Sequence, residues 1–437
     1  MTVAPASIDD LGAFISASPT SYHAAAEVGR RLDAAGFVAL DETEHWELGA
    51  GGHYVLRDGA IVAWLQPTGA TPTMPFRILG AHTDSPAFKL KPKPTIGAYG
   101  WLQAGVEVYG GPLLNSWLDR ELELAGRIVT TDGATRLVRT GPFLRIPQLA
   151  IHLDREANTA LTLDRQRQLT PVFGVGDVAH ADLIAHLAGL AGVAAADVAG
   201  YDLLTADTQA PRRFGLDGEL FAAGRLDNLS SVYAGLAALI ASADAGAEAS
   251  AGVGAPQINV LAAFDHEELG SESRSGANGP LLEDILTRIA ASAGASAADR
   301  LRAFAASWCV SADAGHAIHP NYPERHDPVN RPIAGGGPLL KINANQRYAT
   351  DAHGAALWAR LCGRAGVPYQ EFVSNNTVPC GTTIGPLTAT RLGIRTVDVG
   401  VPLLSMHSAR ELCHVDDPLF LTAAITEFFV PTATGVA

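Results

Sequence analysis

Phe76-Arg77-Ile78-Leu79-Gly80-Ala81-His82-Thr83-Asp84-Ser85-Pro86 holds the fold in outline. Up to Ala81 the run is apolar enough for a strand covered on both faces, the habit of a central strand in an α/β sheet. His82 and Asp84 then lie at its C-terminal end, the edge where open α/β sheets place their sites. Other apolar runs end the same way. Ile258-Asn259-Val260-Leu261-Ala262-Ala263-Phe264 leads into Asp265-His266-Glu267-Glu268-Leu269-Gly270-Ser271. Residues 307–312 lead into Asp313, and Arg395-Thr396-Val397-Asp398-Val399-Gly400 precedes the loop with Met406-His407-Ser408. Asp227, in Gly224-Arg225-Leu226-Asp227-Asn228, opens a helix marked by Leu229, Val232, Leu236 and Leu239.

His82, Asp84, Asp227, Glu267, Glu268, Asp313 and His407 are metal-binding residue types that the strand pattern sends towards one sheet edge. Two His and several carboxylates, with no Cys, can hold two divalent metals beside a spare acid or base, which points to metal-assisted hydrolysis. A ligating His donates its other ring N–H to a carboxylate or carbonyl, a role open to Asp84. Adjacent carboxylates on a regular strand face opposite ways, so Glu267 and Glu268 serve one site only if the strand has ended before them. Each signal has a structural alternative: a surface His–Asp pair, a solvated acidic turn, a helix cap at Asp227, an Asx turn at Asp313, a structural His407. Their joint order and local contexts favour the metal reading.

The rest of the chain organises around these strings. Ile8, Leu11, Phe14 and Ile15 recur at helical spacing, and a second helix follows through Val28 and Leu32. Strand-like runs come next at Tyr54-Val55-Leu56 and Ala60-Ile61-Val62-Ala63-Trp64-Leu65. Lys89-Leu90-Lys91-Pro92-Lys93-Pro94 reads as a Pro-rich joint, and beyond it a β-rich section runs to about residue 210. That section has a hairpin signal at Asp132-Gly133 and helical segments at 182–192 and 194–199. It lacks the main motifs and reads as an insertion. Residues 242–255, rich in Ala and Gly, read as an exposed loop, and 322–338 as another.

A length of 437 residues suggests two or three domains at a prior of ~150 residues each. The net charge of −14, with no basic block, argues against a nucleic-acid partner. Four scattered cysteines with no CxxC pair fit a reducing compartment. The N-terminus lacks a basic and apolar leader, and no apolar run of ~18 residues is evident, so no membrane partner and a cytoplasmic location are expected.

The joint pattern resembles the aspartyl aminopeptidases, a family of co-catalytic zinc aminopeptidases, over nearly the whole chain. The likeness begins at Phe14-Ile15-Ser16-Ala17-Ser18-Pro19-Thr20-Ser21-Tyr22-His23-Ala24. It continues through the His82 and Asp227 strings and Ile146-Pro147-Gln148-Leu149-Ala150-Ile151-His152-Leu153-Asp154-Arg155. Further on come residues 311–322, 341–349, Cys380-Gly381-Thr382-Thr383-Ile384-Gly385-Pro386 and Met406-His407-Ser408. The resemblance implies an α/β catalytic domain with a mixed central sheet flanked by helices, residues 1–91 and 211–437. It implies an inserted β-rich dimerisation or lid domain at 92–210. It also implies two Zn ions, with Mn or Co as replacements: one on His82 and Asp313, the other on Glu268 and His407, bridged by Asp227. Glu267 would be the general base, Asp84 would orient His82, and His152 would reach a neighbouring subunit's site. His316 and His319 match positions near the site, and the assembly would be a homo-oligomer, commonly a dodecamer.

For specificity the resemblance implies peptides with an N-terminal Asp or Glu, read by a cation at Lys341. The chain departs where relatives carry an Arg-Asn-Asp-like string, here aligned with Asn375-Asn376-Thr377. That change leaves room for a co-catalytic aminopeptidase or deacylase of neutral specificity. A non-catalytic assembly protein is the reading from another class, and the completeness of the site weighs against it.

Overall fold

The computed structural model describes residues 6–248 and 256–431, and among them the largest element is a nine-stranded mixed sheet. Its strands follow the order Val38–Ala39, Gly51–Arg57, Ala60–Gln66, Ile258–Phe264, Phe76–His82, Trp308–Ala312, Arg395–Gly400, Leu339–Ile342, Gln370–Val373. Phe76–His82 is central and every residue in it is buried. It pairs in parallel with both Ile258–Phe264 and Trp308–Ala312, and the latter pairs in parallel with Arg395–Gly400. The C-terminal ends of four strands that precede candidate residues therefore share one edge.

Side-chain alternation along these strands builds two separate cores. Leu79, Ala81, Leu261, Ala263, Val310, Ala312, Val397 and Val399 face the helices Ile8–Ala17, Ser21–Ala34, Leu226–Glu248, Ala352–Ala365 and Asp417–Phe429. Ile78, Val260, Ala262, Phe264 and Cys309 face the opposite way, onto Leu281–Ser292, Ala297–Ala305 and Ile384–Leu392. Burial on both faces explains why these strands read as unbroken apolar runs. Gly235 lets Leu226–Glu248 lie against the sheet, since a Cβ there would stand 2.1 Å from Leu79 Cδ2 and 2.8 Å from Leu261 Cδ1.

A second sheet of six strands has its own core around Phe88, Trp117, Leu122, Leu124 and Leu203. Its order is Thr135–Arg139, Leu122–Thr130, Val198–Asp207, Ala87–Ala98, Trp101–Tyr109, Val172–Val175. Asp132-Gly133 forms the expected hairpin turn, with Asp132 Oδ1 accepting from Ala134 N at 3.1 Å. A small third sheet pairs Leu220–Ala223 with Glu411–His414.

Three sequence expectations need correction. The Pro92–Pro94 stretch is no joint: it lies inside the strand Ala87–Ala98, where a register shift between Leu90 and Thr95 takes up the prolines that cannot donate to the ladder. Residues 194–199 are not helical beyond the 3₁₀ turn Ala195–Asp197, because Val198–Asp207 pairs with Leu122–Thr130. The helix Leu226–Glu248 runs through 242–248, which had read as loop, while 249–255 lie outside the described residues. One segment, Leu226–Asp244, is long and apolar enough by composition to cross a membrane. It is this core helix, with 78% of that window buried in the protein.

Candidate metal centre

His82 is the last residue of the central strand, and its ring is almost wholly buried. Its Nδ1 faces Asp84, 3.0 Å from the backbone oxygen and 3.5 Å from Oδ1, and its Nε2 is aimed into the site. Asp84 is fixed in turn by three donors: Glu267 N at 3.0 Å, Glu268 N at 3.2 Å and Tyr109 Oη at 2.9 Å. The strand Ile258–Phe264 has ended before the acidic pair. His266, at a φ of 63°, turns the chain into a short 3₁₀ segment that carries Glu267 and Glu268.

Asp227 sits at the centre. It does not cap the helix: among the described residues no backbone N–H of the first turn donates to its carboxylate, whose Oδ1 has no hydrogen-bond partner, and the Asp227–Asn228 peptide is cis. Its two carboxylate oxygens face different partners. Oδ1 lies 3.3 Å from His82 Nε2, which is itself 3.7 Å from Asp313 Oδ1. Oδ2 lies 3.4 Å from His407 Nε2, which is 3.5 Å from Glu268 Oε2. His407 Nδ1 is directed at the Gly111 backbone oxygen, 3.0 Å away.

These separations fit shared cations. Ligand atoms about 2.0–2.1 Å from one tetrahedral ion stand about 3.3 Å from each other. The ligand atoms of His82, Asp227 and Glu268 all lie within 4.8 Å of one another. Asp227 Oδ1 and Glu268 Oε1 are buried with no hydrogen-bond partner, an expensive arrangement for carboxylate oxygens unless a cation answers them. Nitrogen and oxygen donors without sulfur suit zinc, with manganese or cobalt also accommodated.

Titration behaviour shows the same excess of negative charge. Burial, reinforced by Asp313, Asp84 and Asp227 against the pull of His82, pushes Glu267 up to about 7. Burial and Asp227 push Glu268 well above the usual carboxylate range. Burial disfavours a charged His407, yet the Asp227 hydrogen bond and the charge of Glu268 outweigh it and raise the ring to about 10. His82 is raised likewise, burial being outweighed by Asp227, Asp313 and Asp84. Burial works against ionised Asp227, but its two imidazole partners keep it below the ordinary value.

The structure thus brings together His82, Asp84, Asp227, Glu267, Glu268, Asp313 and His407. Lys341 is close by and 2% exposed, its Nζ donating to Ala314 O at 2.8 Å and lying 5.3 Å from the Tyr348 ring centre. Among the described residues no carboxylate lies within ion-pair distance of it. His316 and His319 line an adjoining cavity of about 330 Å³ with Tyr348, Phe372, Asn375 and Cys380. Asn375 does not reach out for a ligand: its Nδ2 donates to Glu324 O and His326 O, and its Oδ1 accepts from Thr377. His152 stands apart, exposed in a turn region, with no hydrogen bond or ion pair to the cluster. Sequence reading missed Glu411, Tyr109 and Gly111. Their only signal was proximity: Glu411 follows His407 by four residues, and Tyr109 ends a strand of the second sheet, with Gly111 just after it.

Comparison with known proteins places this geometry. Residues 14–429 match the family model of the aminopeptidase I zinc metalloproteases, M18. The chain is 57% identical to "Probable M18 family aminopeptidase 2" of Streptomyces coelicolor, covering 97% of each chain. It is 46% identical to the protein of that name from Mycobacterium leprae, over 97% of this chain and 99% of the relative. Among solved structures, the Ape4 and Nbr1 complex matches with a TM-score of 0.91 at 35% identity, over 97% of this chain and 85% of that one. The S. cerevisiae mApe1 dodecamer matches with a TM-score of 0.84 at 29% identity, over 97% and 96%.

Proposed function

The chain belongs to the M18 family, aminopeptidases that are zinc metalloproteases, and from that premise we propose that it removes N-terminal Asp or Glu from peptides at a two-metal centre. The observation that carries the two-metal reading is the division of Asp227, one oxygen towards His82 and Asp313, the other towards His407 and Glu268. On this reading His82 and Asp313 would hold one ion, Glu268 and His407 the other, with Asp227 contributing to each. A bound pair of divalent ions supplies Lewis acidity, lowering the pKa of water and polarising the scissile carbonyl.

The chain's own residues do the rest. Glu267 is the general base that takes a proton from water and then delivers it to the leaving amine. Burial raises its carboxyl above the ordinary carboxylate range, which strengthens it as a proton acceptor. Asp84 fixes the His82 ring and, through the Glu267 and Glu268 N–H groups, the turn that carries the base. Lys341 supports the acidic preference: a buried cation lacking a carboxylate partner favours a substrate that brings one. The polar contacts of Asn375 are used within the protein, so the Asn375-Asn376-Thr377 departure acts on the shape of the cavity more than on its charge.

The division expected at residues 1–91 with 211–437 as the catalytic part and 92–210 as a dimerisation or lid part extends this proposal, with the first boundary moved back to the start of the strand Ala87–Ala98, because Phe88 and Leu90 belong to the second sheet's core. So does a homo-oligomer, on the pattern of the mApe1 dodecamer. His152 would then serve a neighbouring subunit, a role supported by its exposure beside exposed Leu149, Ile151 and Leu153.

The decisive experiment measures release from matched Asp-, Glu- and Leu-peptides before and after chelation and zinc add-back. Metal-dependent release favouring Asp or Glu is expected. Metal-dependent release of Leu instead would overturn the acidic preference, and release insensitive to chelation would overturn the metal centre.

A further inference from the structure

Building on the two-metal reading above, we infer that Glu411 is a positioning residue that joins the two halves of the centre and sets its affinity for metal. In the small third sheet, Ala223 pairs with Glu411. The chain leaving Ala223 runs directly into Gly224-Arg225-Leu226-Asp227, and the chain entering Glu411 comes directly from His407. One ladder therefore sets both loops side by side.

Glu411 is 2% exposed and turns its carboxylate between them. Oε2 accepts from Asp227 N at 2.9 Å, and Oε1 accepts from His407 N at 2.7 Å. Among the described residues no cation lies within ion-pair distance of this carboxylate. Both arms of the side chain meet an N–H donor, so both must be acceptors, which a carboxylate provides and an amide does not. A Gln would turn its NH₂ towards one of the two N–H groups.

These two bonds tie the two loops together at the backbone. They fix the backbone of Asp227, which faces both halves of the centre, and of His407, which holds a left-handed φ of 65°.

The test uses zinc itself as the probe. Metal-free wild-type and Glu411→Gln proteins are titrated with zinc against a chromophoric chelator. Their metal-free Tm values are compared, and kcat and KM are measured at saturating zinc. Loss of a partner to a ligating residue costs about 10–100-fold in metal affinity, and that weakening is expected here, with a lower metal-free Tm from the mismatched N–H groups and the activity loss in kcat rather than KM. Zinc affinity within about threefold of wild type would overturn the inference. Should Glu411→Gln fail to fold, Glu411→Asp carries the same test. One methylene shorter, its carboxylate no longer spans both N–H groups, and unchanged zinc affinity there would overturn the inference equally. Wild-type protein that takes up no zinc would overturn the metal-centre reading and this inference with it.

Discussion

If Glu267 is the base, as proposed, replacing it by Gln separates proton transfer from metal holding. The change is nearly isosteric, and the backbone at 267 stays anchored by its N–H bond to Asp84 Oδ1. Glu268 is anchored independently through its own N–H to Asp84 Oδ2, so its place opposite His407 survives. Only the proton acceptor is lost. A positioned general base contributes about 10²–10⁴ in rate, and its loss should lower kcat by that factor. At about 1.4 kcal/mol per tenfold, this raises the barrier by about 3–5 kcal/mol.

The assay follows kcat and KM on an Asp-peptide, with zinc content determined on the same samples. Full metal occupancy, unchanged KM and a collapsed kcat form the expected set. A wild-type acid limb accompanies it: a base works unprotonated, so kcat/KM falls as pH drops through its pKa. Nearby cations place that limb below about 7. A Glu267→Gln enzyme that keeps kcat within about threefold of wild type at full metal occupancy would refute the assignment of the base.

Lys341→Met keeps length and removes charge; the loss of one charge-assisted contact, about 1.5–3 kcal/mol, should reduce kcat/KM for Asp-peptides about 10–150-fold. Leu-peptides should be almost unaffected, and equal losses on both would remove Lys341 as the reader of charge. Gly235→Ala should destabilise the protein by about 1–3 kcal/mol through overpacking against Leu79 and Leu261, read as a lower Tm. An unchanged Tm would mean that the helix can lift without cost. His23 is lowered from 6.5 to about 4, by burial first and then by Arg139 and Arg225. Below 6.5 the unfolded chain gains a proton that the folded one refuses, so stability falls between 6.5 and about 4 and is unaffected above. His23→Gln should flatten that part of the Tm–pH curve, and an identical slope in the two proteins would count against it.

The catalytic sheet was legible because burial on both faces forces long apolar runs, and each candidate loop follows one of them. The ends of elements were less legible. Residues 194–199 carry helix-forming alanines, but pairing of Val198–Asp207 with Leu122–Thr130 overrides local propensity. Residues 242–248 invited the opposite error. Their alanines extend a core helix that is anchored by packing upstream. Asp227 looked like a helix cap from its position alone, and only the backbone shows it turned out of the helix to face two imidazoles.

What the sequence could not disclose was the support around the ligands, because support is a relation between distant elements. Glu411 and Asp227 are 184 positions apart, and the ladder between Leu220–Ala223 and Glu411–His414 is what makes them neighbours. The second sheet is tied in the same way. Tyr109 at the end of its strand holds Asp84, Gly111 O receives the His407 ring, and Leu113 N donates to His407 O at 2.9 Å. One five-residue segment thus grips the orienting carboxylate of one half of the centre and the imidazole of the other. A rigid shift of the second sheet would move Asp84 and His407 together, so the centre's geometry depends on how that sheet is seated.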